Sequence, residues 1–210
     1  MREHWQKDGI GDVHSNARGS GARYNTGKVA IELIPLRLIA EQFELVTAED
    51  DPANAMIGAL WNLALFQEGG DAAYLRKAIE LVGAAWNECA AVFDYGRRKY
   101  AEWNWAKGMA WSVPLACAAR HLIFGMMAGE ALDPESGLSH RGHFLCNIVM
   151  LLTFIRTYPE GDDRPSQWLR DAAMTEHAAR EVDARQIAES NMDALMSTAT
   201  AEYLASEVKA

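Results

Sequence analysis

Residues Phe93–Asn147 decide the fold of this chain, and they read FDYGRRKYAEWNWAKGMAWSVPLACAARHLIFGMMAGEALDPESGLSHRGHFLCN. Lysines, arginines, aromatic residues, histidines and carboxylates lie here between and within two apolar helical runs. Polar side chains with metal- and phosphate-binding chemistry are rarely so dense beside apolar surface unless they line a site. The stretch therefore predicts both the centre of the fold and the position of a functional site.

Two helices are predicted in and just beyond this stretch. Ser112–Gly129 begins with a capping residue and has Pro114 in its first turn. Leu138–Tyr158 is apolar on most of its circumference, so it should lie at the centre of the protein. Because the turn between them is short, we expect the two helices to be neighbours.

Helical periodicity continues on both sides of this stretch, and no alternating β-type run occurs. We therefore predict an all-α fold, a helix bundle with appended C-terminal helices. The other predicted helices are Ile31–Val46, Asp51 to about Gln67, Asp71–Tyr100, Ser166–Glu189 and Met192–Val208.

Three parts of the chain are distinguished by composition. Residues 1–20 are polar and glycine-rich, and we expect a disordered tail. Residues 21–158 carry the helical domain, and residues 159–210, beginning with PEGDDRP, are predicted to be a helical extension.

The composition limits the possible functions. The chain has 210 residues, half of them hydrophobic, and a net charge of -9, which argues against a broad nucleic-acid-binding surface. Cys89, Cys117 and Cys146 lie in apolar helical runs without CxxC spacing, which indicates reduced core thiols. No apolar run reaches transmembrane length, so we expect a cytoplasmic protein that does not bind a membrane.

His140, His143 and Asn147 recur at helical spacing and should share one face of the central helix. Such a polar stripe either contacts a ligand or metal, or hydrogen-bonds to a facing helix. Arg120-His121 lies on the preceding helix between apolar flanks, where Arg120 would suit bidentate phosphate contact. A pair of solvent-exposed side chains without a specific role is the alternative interpretation.

Glu130, Asp133 and Glu135 cluster in the turn between these helices. Carboxylates are the ligands that Mg2+ prefers, so the turn is a candidate metal site. A solvated acidic turn is the simpler interpretation of the same residues, since an Asp followed by a Pro, as at Asp133 and Pro134, is typical of turns.

Cations and aromatic residues alternate before the first of the two helices. Lys99 and Lys107 could hold phosphates, Trp103 could stack on a base, and Asn104 could hydrogen-bond to a base edge. Tryptophans are more often core or interface residues, so this spacing is only suggestive.

Four segments together resemble the phage dATP/dGTP diphosphohydrolase family, a MazG-like group. They are RYNTGK at 23–28 with LIP at 33–35, VFDYGRRKY at 92–100, NWAKGM at 104–109, and the segment from Arg120-His121 through GEALDPESGLSH to Asn147. The resemblance implies an all-α, oligomeric pyrophosphohydrolase that uses Mg2+ or Mn2+. It converts purine deoxynucleoside triphosphates to the monophosphate and pyrophosphate. Some members, called MazZ, supply dGMP to phages that replace adenine with 2-aminoadenine.

The chain departs from the typical MazG pattern in its carboxylates. No EExxE motif occurs, and only Glu130-x-x-Asp133 fits the second half of the pattern. Glu88, Glu41 and Glu44 are therefore alternative metal ligands. Residues 36–85 separate the first two matching segments and are expected to be a helical insertion.

These observations lead to one expected function and two alternatives. The expected protein is a homo-oligomer, a dimer or tetramer, that hydrolyses dGTP and dATP in the cytoplasm (of the infected host cell if viral), with GTP and ATP as further candidate substrates. In this hypothesis His121, His140, His143 and Asp133 act in catalysis, and the histidines either ligate the metal or orient the water. Glu130, Asp133 and Glu135 hold the divalent ion. The nucleotide is bound by Lys28, Lys99, Trp103, Asn104, Lys107, Arg120 and Asn147, whose cations neutralise the triphosphate. The alternatives are a triphosphohydrolase that releases tripolyphosphate and a non-catalytic helical oligomerisation module.

Overall fold

The computed structural model describes residues 9–24, 27–43 and 52–169. The described part is mostly helical, which confirms the all-α prediction. Its helices are α1 (Leu36–Ala40), α2 (Pro52–Gln67), α3 (Ala72–Val82), α4 (Trp86–Lys99), α5 (Ser112–Arg120), α6 (His140–Thr157) and α7 (Ser166–Leu169). Strands β1 (Gly9–Ile10) and β2 (Arg23–Tyr24) pair antiparallel, with Gly9 opposite Tyr24.

The expected disorder of residues 1–20 is wrong for residues 9–20. Besides the β1–β2 pairing, Gly19 N donates to Lys107 O at 2.7 Å, and Gly21 N donates to Gly108 O at 2.8 Å. Backbone hydrogen bonds need no apolar side chains, so the polar composition concealed them. Residues 1–8 lie outside the described residues.

The predicted helix Ile31–Val46 is divided in two, a 3-10 turn at Ile31–Leu33 and then α1. Pro35 causes the division, because the residue before a proline is pushed out of the helical region. Ile34 accordingly has an extended backbone, with φ -102° and ψ 132°. Val46 lies outside the described residues.

The helix that begins near Asp51 is confirmed as α2, with Asp51 itself outside the described part. Gln67 at its end is 1 % exposed, and its side chain ties α2 to the chain before it. It accepts from Leu36 N at 2.8 Å and donates to the carbonyls of Glu32 and Ile34.

The prediction of one long helix over Asp71–Tyr100 is wrong, because the structure contains α3 and α4 with a break between them. Gly83 ends α3 with φ 87°, a conformation that favours glycine. The predicted cap is confirmed, since Asp71 Oδ1 accepts from Ala73 N at 2.6 Å.

The helix α6 lies at the centre, as predicted from its apolar sequence, and packs against α3, α4 and α5. Phe144, Leu145, Ile148, Leu151 and Phe154 are fully buried in it. One chain therefore covers this helix, and its apolar surface alone does not require a second copy. The homo-oligomer stays a prediction.

The N-terminus of α5 differs from the prediction that Ser112 is its cap. Ser112 is the first helical residue, and Asp163 supplies the capping carboxylate. Asp163 accepts from the backbone N of Ser112 at 2.8 Å and from its Oγ at 2.6 Å. This contact joins the start of α5 to the segment after α6.

Cys89, Cys117 and Cys146 are free and buried, which confirms the predicted core thiols. No helix in the part of the chain that the structure describes is long and apolar enough to cross a membrane. The predicted C-terminal helices Ser166–Glu189 and Met192–Val208 are described only at Ser166–Leu169, and the rest of 159–210 after Leu169 lies outside the described residues.

Candidate active site

A cavity of about 900 Å³ lies beside the N-terminal half of α6. Strand β2, helix α4, the 3-10 turn Asn104–Lys107 and the end of α5 contribute to its wall. Its size is at the upper end of the range for small-molecule sites. The predicted site residues that line it are Lys28, Lys99, Trp103, Asn104, Arg120, His121, Glu130, Asp133, Glu135, His140 and His143.

The first turn of α6 holds two of the three histidines. Ser139 Oγ accepts from Gly142 N at 2.9 Å and fixes the start of the helix. His140 and His143 follow at helical spacing and are 5 % and 8 % exposed. Their rings therefore have little contact with solvent.

The third histidine begins an unusual turn. After α5 the chain widens into a π-helix, His121–Met126, before it reaches the acidic turn. Such turns are often found at functional sites. Within it, Gly125 lies so close to His140 that a Cβ atom there would be 2.3 Å from the imidazole ring. The glycine thus makes room for the ring.

The three imidazoles contact one another. The Nδ1 atoms of His121 and His140 are 3.0 Å apart. The rings of His121 and His143 are stacked, with centroids 4.4 Å apart. Burial lowers the pKa of His121 to about 2, and the adjacent imidazoles and the cations Arg23 and Lys28 further disfavour its protonation. His121 is therefore neutral at physiological pH, and one of its two ring nitrogens carries a lone pair that can bind a ligand.

Asp133 is held in place by the turn that contains it. Its Oδ2 accepts from Ser136 N at 2.9 Å and from Ser136 Oγ at 2.8 Å. Ser136 Oγ is also 2.7 Å from His143 Nε2. Burial lowers the pKa of His143 to about 4, although the charge of Asp133 opposes this change.

His121, Asp133 and His140 form a possible metal centre, because their ligand atoms all lie within 4.8 Å of one another. In an octahedral site, two adjacent ligand atoms about 2.1 Å from the ion are about 3 Å apart. The 3.0 Å between the imidazole nitrogens agrees with this value. His140 Nε2 is buried without a hydrogen-bond partner among the described residues, and it lies 3.4 Å from Glu130 Oε2. The donor set therefore fits a divalent ion.

Glu135 forms ion pairs with two lysines. Lys28 Nζ donates to its Oε2 at 2.8 Å, and Lys99 Nζ donates to its Oε1 at 2.5 Å. Partial burial raises the pKa of Glu135, but the two lysines outweigh this effect and lower it to about 2. The sequence-based metal set Glu130, Asp133 and Glu135 is therefore divided in the structure, with Asp133 next to histidines and Glu135 between lysines.

A family model described as "dATP/dGTP diphosphohydrolase, N-terminal" matches residues 56–164, more than half of the chain. This chain belongs to the dATP/dGTP diphosphohydrolase family. It is accordingly a hydrolase that acts on the phosphoric anhydride bonds of nucleotides, as the resemblance implied. No curated protein and no solved structure matches it.

The family match contains the three histidines and the acidic turn of this diphosphohydrolase, whereas Arg23 and Lys28 precede it. It also runs through residues 56–85, so this part of the expected insertion lies inside the matched region. There, Leu60, Leu63 and Leu75 of α2 and α3 are fully buried in the common core.

Several predicted site residues of the diphosphohydrolase have other contacts. Asn104 is buried, and its amide exchanges hydrogen bonds with the backbone of Ala22. Lys107 donates to Val13 O at 3.1 Å and does not line the cavity. Asn147 also lies behind the cavity wall, where it accepts from Arg23 Nη2 at 2.9 Å.

The alternative metal ligands lie elsewhere. Glu88 pairs with Ser139 and Arg141 and does not line the cavity. Glu41 is an exposed residue at the end of α1, also outside the cavity wall. Glu44 lies outside the described residues.

Two residues of the site were missing from the sequence-based set. Ser136 connects Asp133 to His143, and Arg23 lines the cavity from β2. Both belong to the segments that carry the family resemblance, which was the available signal. Arg23 is far from its partner Asn147 in sequence, so no local spacing predicts their contact.

Proposed function

We propose that this diphosphohydrolase cleaves purine deoxynucleoside triphosphates between the α and β phosphorus atoms. Water attacks the α-phosphorus, the bond to the bridging oxygen breaks, and the products are the nucleoside monophosphate and pyrophosphate. The substrates are dGTP and dATP, with GTP and ATP as further candidates. The observation that carries the proposal is the centre of His121, Asp133 and His140 in a lysine-lined cavity of about 900 Å³, which is large enough for a nucleotide.

His121, Asp133 and His140 would hold the divalent ion. When bound, Mg2+ or Mn2+ supplies charge for the phosphate oxygens and lowers the pKa of a water molecule. Mn2+ fits the two imidazoles better than Mg2+ does. Glu130 Oε2, 3.4 Å from His140 Nε2, is placed to accept a hydrogen bond from that nitrogen. Such a contact orients metal-binding histidines.

Ser136 and His143 orient Asp133 in this proposal. The Ser136 hydroxyl donates to Asp133 Oδ2, so its oxygen accepts from the Nε2–H of His143. The chain of hydrogen bonds fixes the tautomer of His143 and the direction of the carboxylate. His143 is therefore a positioning residue.

The substrate would be held by its phosphate chain and by its base. Lys28 and Lys99 are the cations for the phosphate chain, with Arg120 as a further candidate that now donates to Val29 O at 2.9 Å. Trp103 is 71 % exposed and lines the cavity, which suits stacking on a purine. Its backbone has φ 54°, a strained conformation for a bulky residue that is typical of functional positions.

Product analysis tests this proposal. The protein is incubated with each of the four deoxynucleoside triphosphates and Mn2+ or Mg2+, and phosphorus NMR identifies the inorganic product. We expect pyrophosphate and purine monophosphate. Absence of hydrolysis of every purine triphosphate, with either ion, contradicts the proposal.

A triphosphohydrolase is the second candidate, because two histidines and an aspartate on a helical scaffold also suit that reaction. It releases tripolyphosphate and the nucleoside, and the same spectrum distinguishes the two products. The resemblance to MazZ members supports a role for the dGMP that the pyrophosphohydrolase reaction produces. In a phage-infected cell, the dGMP produced would supply 2-aminoadenine synthesis.

A further inference from the structure

The guanidinium of Arg23 has no carboxylate partner among the described residues. Its Nη2 donates to Asn147 Oδ1 at 2.9 Å, and its Nη1 lies 3.8 Å from Met150 Sδ. Cys117, with which it is hydrogen-bonded, Cys146 and Tyr100 are further neighbours, and none of them is a carboxylate. Other arginines of the chain differ from it, since Arg37 and Arg164 each form an ion pair with a carboxylate.

These surroundings do not neutralise the charge. Asn147 and Met150 are uncharged, and burial raises the pKa of Cys146, so that this thiol also stays neutral at physiological pH. An arginine keeps its proton in a protein. A positive charge inside a protein without a counter-charge is strongly unfavourable. The protein would retain such a group where a ligand provides the missing negative charge.

The position of Arg23 is suited to such a ligand. It lines the same cavity as Lys28 and Lys99, but those lysines already share the carboxylate of Glu135. Asn147, which accepts from Arg23, also donates through its Nδ2 to His143 O at 2.7 Å, so Arg23 lies near the histidines of the candidate metal centre. Arg23 thus brings to this wall a positive charge that no described carboxylate compensates.

We infer that Arg23 is the anion receptor of the cavity and binds a phosphate group through its guanidinium. The planar fork matches phosphate oxygens and can bind two of them. Asn147 is then a positioning residue, because it holds one arm of the fork from behind. The inference rests on the proposed function only for the identity of the anion as part of a nucleotide.

Pyrophosphate binding by the full chain, without divalent ions, is the test. Binding is measured by calorimetry and by the rise in thermal midpoint for wild type, Arg23→Met and Arg23→Lys. Arg18→Met is the matched control, since Arg18 is a surface residue of the same segment, paired with Glu160. We expect Arg23→Met to bind pyrophosphate at least about tenfold more weakly, the effect of losing a charged hydrogen bond. Arg23→Lys should lie between this variant and wild type, and Arg18→Met should match wild type.

The thermal midpoint without ligand separates binding from a structural role. Removing an uncompensated charge should leave the midpoint of Arg23→Met equal to or above that of wild type. Equal pyrophosphate affinity in wild type and Arg23→Met, or no binding by wild type, overturns the inference. If Arg23→Lys binds pyrophosphate as tightly as wild type but has a lower thermal midpoint, the role of Arg23 is structural and the inference is overturned. Wild-type hydrolysis with equal affinities leaves the proposed function intact, whereas Arg23-dependent binding without hydrolysis contradicts only the proposed function.

Discussion

The Nδ1 atoms of His121 and His140 lie 3.0 Å apart, although one residue follows α5 and the other begins α6. At this distance one ring must donate and the other must accept, because two protonated rings would repel each other. In the proposed function, a divalent ion held by both rings would replace the shared proton. The histidine pair would then couple metal binding to the contact between the two helices.

His140→Ala should remove most of the stabilisation that Mn2+ gives the protein. An ion at 100 times its dissociation constant raises the free energy of unfolding by about 2.7 kcal/mol in wild type. The measurement is thermal unfolding with and without Mn2+. His14→Ala, at an exposed histidine, is the control and should respond like wild type. An undiminished response of His140→Ala would place the ion elsewhere.

Gly125→Ala should displace the His140 ring, because the new methyl group would lie 2.3 Å from it. We expect a loss of about 1–3 kcal/mol in the free energy of unfolding, as for other overpacked sites, and a weaker response to Mn2+. Gly96→Ala is the matched control, since a Cβ atom there meets nothing within 4 Å. It should stabilise the protein by about 0.4–1 kcal/mol and keep the response. A normal Mn2+ response in Gly125→Ala would contradict the assignment of His140.

Trp103→Gly should stabilise the fold and weaken nucleotide binding at the same time. Glycine tolerates the positive φ of this position, and relief of such strain is worth about 1 kcal/mol or more. Loss of the stacking surface should raise KM for dGTP severalfold. Trp86→Ala, another exposed tryptophan, should leave KM unchanged. An unchanged KM in Trp103→Gly would exclude base stacking by this residue.

Glu88 should contribute to stability only above acidic pH. Hydrogen bonds from Arg141 and Ser139 lower its pKa below the ordinary value of 4.5. The unfolded chain therefore takes up the proton first, so the contribution is present above pH 4.5 and is lost as the pH falls below it. Urea unfolding of Glu88→Gln should give a deficit of up to about 1 kcal/mol at neutral pH, because the pair is partly exposed. A deficit that persists in strong acid would show that the charge is not its cause.

The central helix could be predicted from sequence because its apolar residues continue around most of its circumference. The break before α4 could not. Leu75, Ile79, Val82 and Trp86 keep helical spacing across Gly83, yet Trp86 is 54 % exposed and belongs to the next helix. The spacing of apolar residues does not show that a single glycine, Gly83, has a positive φ and ends the helix.

The sequence indicated most of the residues of the candidate site, but not which of them contact one another. Glu135 and Asp133 have the same charge and lie in the same turn, so local sequence does not distinguish them. Their roles differ because Lys28 and Lys99, remote in sequence, approach Glu135, while His121 and His140 approach Asp133. These are tertiary contacts, and no spacing within the chain specifies them.

Turnover of dGTP against Mn2+ concentration for Asp133→Asn tests the central claim most directly. A neutral amide keeps the size of the side chain but cannot offset the charge of the ion. The matched control is Asp94→Asn, since Asp94 lies at the cavity rim and pairs with Arg97 and Arg98. The account predicts normal folding of both variants and a loss on the order of 100-fold in turnover for Asp133→Asn alone. A wild-type Mn2+ curve for Asp133→Asn would contradict it.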